Sequence, residues 1–331
     1  MLLSIAAIVI GLALLVWSAD RFVDGAAAVA HHLGVSNLII GITVIGFGTS
    51  APEIVVSIIA VLESVPNLAV GNALGSNIAN IGLILGITAL LVPIPVSSGL
   101  IRSEYPLLLA ATVVVTGCLY DLNLSRIDGF ILLGLLLLTM GYMIHSHRQT
   151  GGKVDSASED EDSEMMSNAR AFGWILLGLI VLVGSSRMLV WGATNIAHSF
   201  GVSELVIGLT IVALGTSLPE LAASIASLKK SIPDMAIGNI IGSNLFNTLA
   251  VVGIPPMITE FDIDVAAMQR DVPIMFGLTL MLFAMSCGSK KGMVLIGRQK
   301  GAVLLAVFIA YQLYLYYEVV TGVSWFTWMQ T

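Results

Sequence analysis

The feature that most constrains this chain is a series of apolar runs, each close to 20 residues long, that recurs along the sequence. As a helix, a run of about 20 residues crosses a hydrocarbon layer of about 30 Å. Only 11% of the 331 residues are charged and 57% are hydrophobic, whereas a soluble domain carries about 25% charge. Lipid permits only helices or closed barrels, and these runs are too long and continuous for barrel strands. The sequence therefore predicts an all-α, polytopic membrane protein.

Ten transmembrane helices are predicted from the apolar runs and the polar segments between them. The first run has no basic residue before it and no small-residue cleavage site after it, which favours a retained helix over a removed signal peptide. The predicted spans are roughly 2–29, 35–62, 68–92, 104–120, 127–147, 170–197, 203–228, 234–258, 272–288 and 300–319.

Basic residues divide unequally between the loops on the two sides. With the N-terminus outside, the inner connections hold ten Lys and Arg residues, and the outer connections hold only Arg126 and Arg270. The protein is predicted to lie in the cell (inner) membrane. The positive-inside rule then places both termini outside, in the periplasm, and the 148–169 loop in the cytoplasm. That loop carries the acidic run 159–162 and is interpreted as a solvated linker.

An internal repeat divides the chain into two halves. Shifted by 167 positions, residues 41–86 fall on residues 208–253, and 19 of these 46 positions are identical without a gap. Each half contains five predicted spans, and an odd number reverses the orientation of the second half in the membrane. The sequence therefore predicts two inverted-topology five-helix repeats, 1–147 and 170–331, joined by the acidic linker 148–169.

Two glutamates, Glu53 and Glu220, occupy matched positions in the repeats, and long apolar segments flank each of them. A charged side chain at the centre of a bilayer costs at least about 2.5–3.5 kcal/mol on insertion scales. No Lys or Arg lies near their depth in the neighbouring predicted spans. Cations from solution are therefore favoured over a structural ion pair as the counter-charge.

Each glutamate directly follows a proline, in the sequences GTSAPE and GTSLPE. Proline has no N–H and clashes with the preceding turn, which frees the carbonyls of Gly48 and Gly215 and predicts a broken helix in each half. Broken helices at this depth are tolerated where the backbone lines a polar cavity. Helical spacing puts the polar groups of each motif on one face, namely Thr49, Ser50 and Glu53 and their counterparts Thr216, Ser217 and Glu220.

The next span of each half carries the motif GNxxGSNxxN. Its GxxxG element, taken alone, predicts close helix packing. Ser76 and Asn80 are four residues apart, as are Ser243 and Asn247, so each pair puts a hydroxyl and an amide oxygen on one face. The remaining motif asparagines fit helix caps or interhelical hydrogen bonds, and these are Asn72, Asn77, Asn239 and Asn244.

The polar groups assembled in this way are carboxylate, amide, hydroxyl and carbonyl oxygens, without sulfur or imidazole. Such a set suits calcium, sodium or magnesium and is a poor match for zinc, copper or iron. Calcium accepts about six to eight oxygens in flexible geometry, whereas magnesium demands a tight octahedron. The flexible carbonyls of two broken helices favour calcium.

The doubled GTSxPE and GNxxGSNxxN motifs resemble the two alpha repeats of the calcium/cation antiporter superfamily. In length and topology the whole chain is similar to small prokaryotic sodium/calcium exchangers. The resemblance implies ten helices, with the ion sites between the second, third, seventh and eighth and with the long first and sixth as the moving element. It implies calcium and sodium ions as transported partners, a lipid bilayer as surroundings, and no cofactor, no nucleic acid and no obligatory protein partner.

Carried onto this sequence, the resemblance implies a central calcium site made of the Glu53 and Glu220 carboxylates and the Thr49 and Thr216 carbonyls. Asn247 stands where some members, including the potassium-dependent branch, have aspartate, and its neutral amide argues against a potassium requirement. The flanking sodium sites would use Ser50, Ser76 and the Gly46 carbonyl and, in the second half, Ser217, Ser243 and the Ala213 carbonyl, with Asn80 and Asn247 completing the cluster.

The expected function is sodium/calcium antiport by alternating access. Proton/calcium antiport stays open, because two protons would neutralise the same pair of glutamates. An ion channel would differ in that its flux continues without a counter-ion. A membrane enzyme is disfavoured, since the sequence holds no nucleophile elbow, zinc motif or phosphate loop.

Overall fold

The computed structural model describes residues 1–149, 166–200, 213–287 and 293–321, and this part of the chain is predominantly helical. The acidic run 159–162, the first part of the predicted span 203–228, and the C-terminal segment 322–331 lie outside the described residues. The helices are α1 (Leu2–Leu33), α2 (Asn37–Leu62), α3 (Asn67–Leu91), α4 (Ser98–Leu119), α5 (Arg126–Gln149), α6 (Asn168–Ser199), α7 (Ala213–Thr216), α8 (Leu218–Lys229), α9 (Pro233–Ile258), α10 (Val272–Ser286) and α11 (Arg298–Thr321).

Seven of the described helices are long and apolar enough to cross a membrane, by length and composition: α1, α2, α3, α5, α6, α9 and α11. The other three predicted spans, 104–120, 203–228 and 272–288, correspond to shorter described helices, namely the apolar part of α4, the pair α7 and α8, and α10. The helical membrane fold is therefore confirmed, and the count of ten transmembrane helices stays a prediction.

Short π-helical turns interrupt several helices. They lie at Gly41–Ile45 in α2, Asn80–Ile84 in α3 and Asn247–Val251 in α9, and another, Ala267–Asp271, precedes α10. The turns in α3 and α9 are related by the 167-residue shift, and each begins at a predicted ligand asparagine. Single π turns inside α-helices are rare and occur frequently at functional sites.

Two small antiparallel ladders, which the apolar runs do not predict, join the two halves of the chain. Strand β1 (Ile94–Ser97) pairs with β4 (Met293–Ile296), and β2 (Asn123–Leu124) pairs with β3 (Phe261–Asp262). The segment of β1 contains Pro95 and lies between the predicted spans 68–92 and 104–120. Burial favours its extended conformation, because Ile94 and Val96 point to one side of the strand and are fully buried.

The long helices α1 and α6 pack against each other along most of their length and run antiparallel. A Cβ added to Gly25 near the end of α1 would meet the Ala171 carbonyl at the start of α6, and one added to Gly192 near the end of α6 would meet the Ser4 carbonyl. Glycine at these points lets the two backbones approach closely, as small residues do between membrane helices.

Helix α9 is the centre of the molecule, because it contacts α2, α3, α4 and α8 and is almost entirely buried. The glycines of its GxxxG motif, Gly238 and Gly242, lie directly on the backbone of α2 at Leu38 and Ile42. Close packing is thus confirmed for the second copy of the motif. This crossing of α2 and α9 brings the two repeats together at the residues of the candidate site.

Candidate ion-binding site

The two matched glutamates are buried in the helical core. Glu53 in α2 is 1% exposed and Glu220 in α8 is 2% exposed. Both oxygens of Glu53 and one oxygen of Glu220 have no hydrogen-bond partner among the described residues. No lysine or arginine in the described part of the chain forms an ion pair with either. Burial of an unpaired carboxylate is costly, so the pair requires protons or cations.

The helix that precedes each glutamate differs between the repeats. In the second half the helix breaks at Ser217, between α7 and α8, as predicted from Pro219. In the first half the predicted break at Pro52 is wrong, because the α-helical segment Gly46–Leu62 runs through the proline. Tight packing accounts for the difference: a Cβ on Gly46 would lie 3.0 Å from the Gly242 backbone, so α9 supports α2 just before Pro52.

Matched asparagines hold the backbone at both glutamates. The Asn72 amide donates to the Glu53 carbonyl at 3.3 Å, and the Asn239 amide donates to the Glu220 carbonyl at 3.1 Å. The same amides reach the hydroxyls of Ser57 and Ser224, which are also related by the repeat. The interhelical role predicted for Asn72 and Asn239 is therefore confirmed. Ser57 and Ser224 were missed, although their four-residue spacing from each glutamate was a usable signal.

Asn239 also connects the second repeat to the first. The Thr49 hydroxyl donates to its Oδ1 at 3.1 Å and lies 3.2 Å from the Ser243 hydroxyl. The Ser243 hydroxyl in turn donates to the Gly46 carbonyl at 3.4 Å. Three of the predicted ligand positions, Gly46, Thr49 and Ser243, thus form one hydrogen-bonded cluster at the crossing of α2 and α9.

The π turns of α3 and α9 each contact the glutamate helix of the other repeat. The turn that begins at Asn80 contacts α8, which carries Glu220, and the turn that begins at Asn247 contacts the α2 segment that carries Glu53. Each asparagine therefore begins a turn that packs against the glutamate helix of the other half. The amide nitrogens of Asn80 and Asn247 and the Asn247 oxygen are buried without a partner among the described residues.

The other predicted ligands lie in the same elements. Ser50, Ser217 and Ser76 are buried on α2, in the break before α8 and on α3, and the Ser50 hydroxyl has no partner among the described residues. Thr216 is partly exposed, and α7, which begins at Ala213 and ends at Thr216, contacts the α3 helix that carries Ser76. Buried oxygens without partners are the chemistry of a hard-cation site.

The chain matches the family model described as sodium/calcium exchanger protein over residues 3–145 and 170–317, which are nearly all of both repeats. It belongs to the sodium/calcium exchanger protein family. The fold and family are those of ion exchangers and not of catalytic enzymes.

Full-length relatives and a solved structure agree with this assignment. The chain is 43% identical over 321 residues to the inner membrane protein YrbG of Escherichia coli K12, with 96% of this chain and 98% of that protein covered. It is 29% identical over 346 residues to the sodium/calcium exchanger MaX1 of Methanosarcina acetivorans, with 94% and 97% covered. The structure of the sodium-calcium exchanger NCX_Mj superimposes with a TM-score of 0.79 at 32% identity, covering 93% of this chain and 97% of that one.

Proposed function

We propose that this protein is a secondary active antiporter that exchanges sodium for calcium by alternating access, without a potassium requirement. The observation that carries the proposal is the pair of repeat-related glutamates, Glu53 and Glu220, buried at the meeting point of α2, α8 and α9 with carboxylate oxygens that lack partners among the described residues. MaX1 and NCX_Mj, to which the chain is similar over nearly its whole length, are both named as sodium/calcium exchangers.

The charge of the site explains why ions from opposite sides are coupled. With Asn80 and Asn247 neutral, the two glutamates give the site a charge of −2. One calcium ion cancels this charge, and three sodium ions leave about +1. An empty site keeps both negative charges, which are costly to carry past a dry constriction in the membrane. Reorientation therefore proceeds with ions bound and stalls without them.

The ligand assignment follows the elements that meet at the site. The central calcium ion is held by the two carboxylates and by the Thr49 and Thr216 carbonyls. The flanking sodium ions use Ser50, Ser76 and the Gly46 carbonyl in one group and Ser217, Ser243 and the Ala213 carbonyl in the other, with Asn80 and Asn247 between them. The contacts of Ser243 with Gly46 and Thr49 bring positions from both groups together at the α2–α9 crossing.

An inverted repeat of ten spans is part of the proposal, and two observations support it. The repeat-related helices α1 and α6 pack antiparallel. The ladders give the second support: β1 and β3 are repeat-related, yet each pairs with a strand that follows the fourth helix of the other repeat. Paired strands lie on one face of the membrane, and repeat-related strands then lie on opposite faces. The basic-residue distribution places the termini in the periplasm and the linker 148–169 in the cytoplasm.

The test is calcium uptake into sealed vesicles that contain the purified protein and hold an outward sodium gradient. We expect uptake that depends on the sodium gradient and not on potassium, and its loss in Glu53→Gln and in Glu220→Gln. Uptake by either variant at the wild-type rate would show that the two-glutamate site is misassigned. Uptake driven by a pH gradient and not by sodium would replace the proposal with proton/calcium antiport.

The control for folding is the elution profile of each variant in detergent. Glutamine keeps the size of glutamate and removes the buried charge, so both variants should elute and unfold like the wild type. A flux that continues without any counter-ion on the opposite side would identify a channel and reject antiport altogether.

A further inference from the structure

A serine of α6 donates a hydrogen bond to the broken helix of the second repeat. The Ser186 hydroxyl lies 2.6 Å from the Gly215 carbonyl oxygen in α7, and the serine is buried. In a continuous helix the Gly215 carbonyl would accept from the N–H four residues later. That residue is Pro219, which has no N–H. Ser186 therefore satisfies a carbonyl that the α7–α8 segment cannot satisfy itself.

Helix α6 also packs closely against the backbone beside this hydrogen bond. A Cβ at position 215 would overlap the side chain of Val190, so a larger residue there would require Val190 to shift. Ser186 and Val190 are four residues apart and share one face of α6. Both also line a cavity of about 270 Å³ together with Gly215, Thr216 and Pro219. Thus α6 rests on the residue next to Thr216, whose carbonyl is a proposed calcium ligand.

The first repeat lacks this contact. The residue that corresponds to Ser186 is Ala19, which has no hydroxyl, and the carbonyl freed by Pro52 belongs to Gly48. A Cβ at Gly48 would meet carbon atoms, Phe22 Cζ at 3.0 Å and Leu179 Cδ1 at 3.4 Å. Within the described ranges no side chain donates to the Gly48 carbonyl, and α2 stays helical through its proline. The hydroxyl donor and the broken helix therefore occur together in one repeat only.

We propose that Ser186 is a positioning residue for the ion site. Its hydroxyl fixes the last turn of α7, a helix of only four residues, and so fixes where the Thr216 and Ala213 carbonyls stand relative to the glutamates. Ser186 does not itself touch the ion. This inference rests on the proposed exchange function, because it concerns the geometry of the same site.

The experiment compares Ser186→Ala with Ser185→Ala in sodium-driven calcium uptake by reconstituted full-length protein. Ser185 is an adjacent buried serine whose hydroxyl, among the residues that the structure describes, bonds only to the Leu182 carbonyl of its own helix, at 2.9 Å. We expect Ser186→Ala to raise the apparent KM for calcium about threefold to tenfold, the range of one buried hydrogen bond. The maximal rate should stay within about twofold of the wild type, and Ser185→Ala should leave both values unchanged.

A volume-matched pair keeps the test decisive if Ser186→Ala folds poorly. Ser186→Thr retains the hydroxyl and should keep the wild-type KM, whereas Ser186→Val has nearly the same shape without the donor and should reproduce the raised KM. An unchanged KM in Ser186→Val, or equal effects of Thr and Val, would overturn the positioning role. A wild-type protein without sodium-dependent uptake would reject the proposed function itself, which is a separate result.

Discussion

Replacing Gly242 by alanine should separate the two helices that form the site. An alanine Cβ at this position would lie 2.7 Å from Ile42 Cα and 2.8 Å from the Ile42 carbonyl carbon. Both are backbone atoms, so no side-chain rotation relieves the contact. The Ile42 carbonyl oxygen would be nearer still, so α9 must move away from α2 by more than about 0.7 Å to reach the 3.4 Å at which ordinary contact begins.

That displacement falls on the hydrogen bonds of the neighbouring residue. The Ser243 hydroxyl lies 3.2 Å from Thr49 Oγ1 and 3.4 Å from the Gly46 carbonyl, so both contacts would pass beyond hydrogen-bonding distance. Overpacking of this kind costs about 1–3 kcal/mol. Because 1.4 kcal/mol corresponds to a factor of ten, a cost of this size at the ion site should lower sodium-driven calcium uptake by at least about fivefold.

The assay is initial uptake in proteoliposomes, together with thermal unfolding in detergent. The control is Gly277→Ala in α10, an exposed glycine whose added Cβ would meet nothing within 4 Å. This control should transport at the wild-type rate and unfold at the same temperature or slightly higher, since alanine favours the helix by about 1 kcal/mol over glycine. Wild-type uptake by Gly242→Ala would refute the view that the α2–α9 contact sets the geometry of the site.

Two further contacts give measurable expectations. Lys230 at the end of α8 lies 2.8 Å from Asp24 in α1, and both side chains are about a quarter exposed. A double-mutant cycle with Lys230→Asp and Asp24→Lys should give a coupling of about 1 kcal/mol or less in the free energy of unfolding. If the double variant is no more stable than the single variants, the contact does not contribute to stability. Tyr311→Phe removes the 2.9 Å hydrogen bond from the Tyr311 hydroxyl to Asp271 and should lower the free energy of unfolding in detergent by about 1 kcal/mol. An unchanged midpoint of unfolding would show that Arg270 alone satisfies the Asp271 carboxylate.

Much of the site could be predicted because the repeat places the same polar residues at the same depth twice. Glu53 and Glu220 stand out because buried charge is costly, and the four-residue spacing puts each asparagine on the face of a nearby serine. The break at Ser217 followed from Pro219. The continuity of α2 through Pro52 did not follow, since it depends on packing against α9, which is a tertiary contact invisible in local sequence.

Other features had no local signal. The strand at 94–97 pairs with residues about 200 positions later, and the proline within it disfavours a regular strand. The π turns that begin at Asn80 and Asn247 come from backbone geometry, which hydropathy does not report. The hydrogen bond from Ser186 was unpredictable for a different reason, because it departs from the repeat: one half has the donor and the other has Ala19 in its place.

The two ladders have a mechanical consequence. One ties the loop after α3 to the strand after α10, and the other ties the loop after α4 to the strand after α9. The two halves are thereby joined by backbone hydrogen bonds at two separate places. In the described part of the chain, neither α1 nor α6 is directly followed by a strand of either ladder. A movement of α1 and α6 relative to the rest of the described chain would therefore leave both ladders intact.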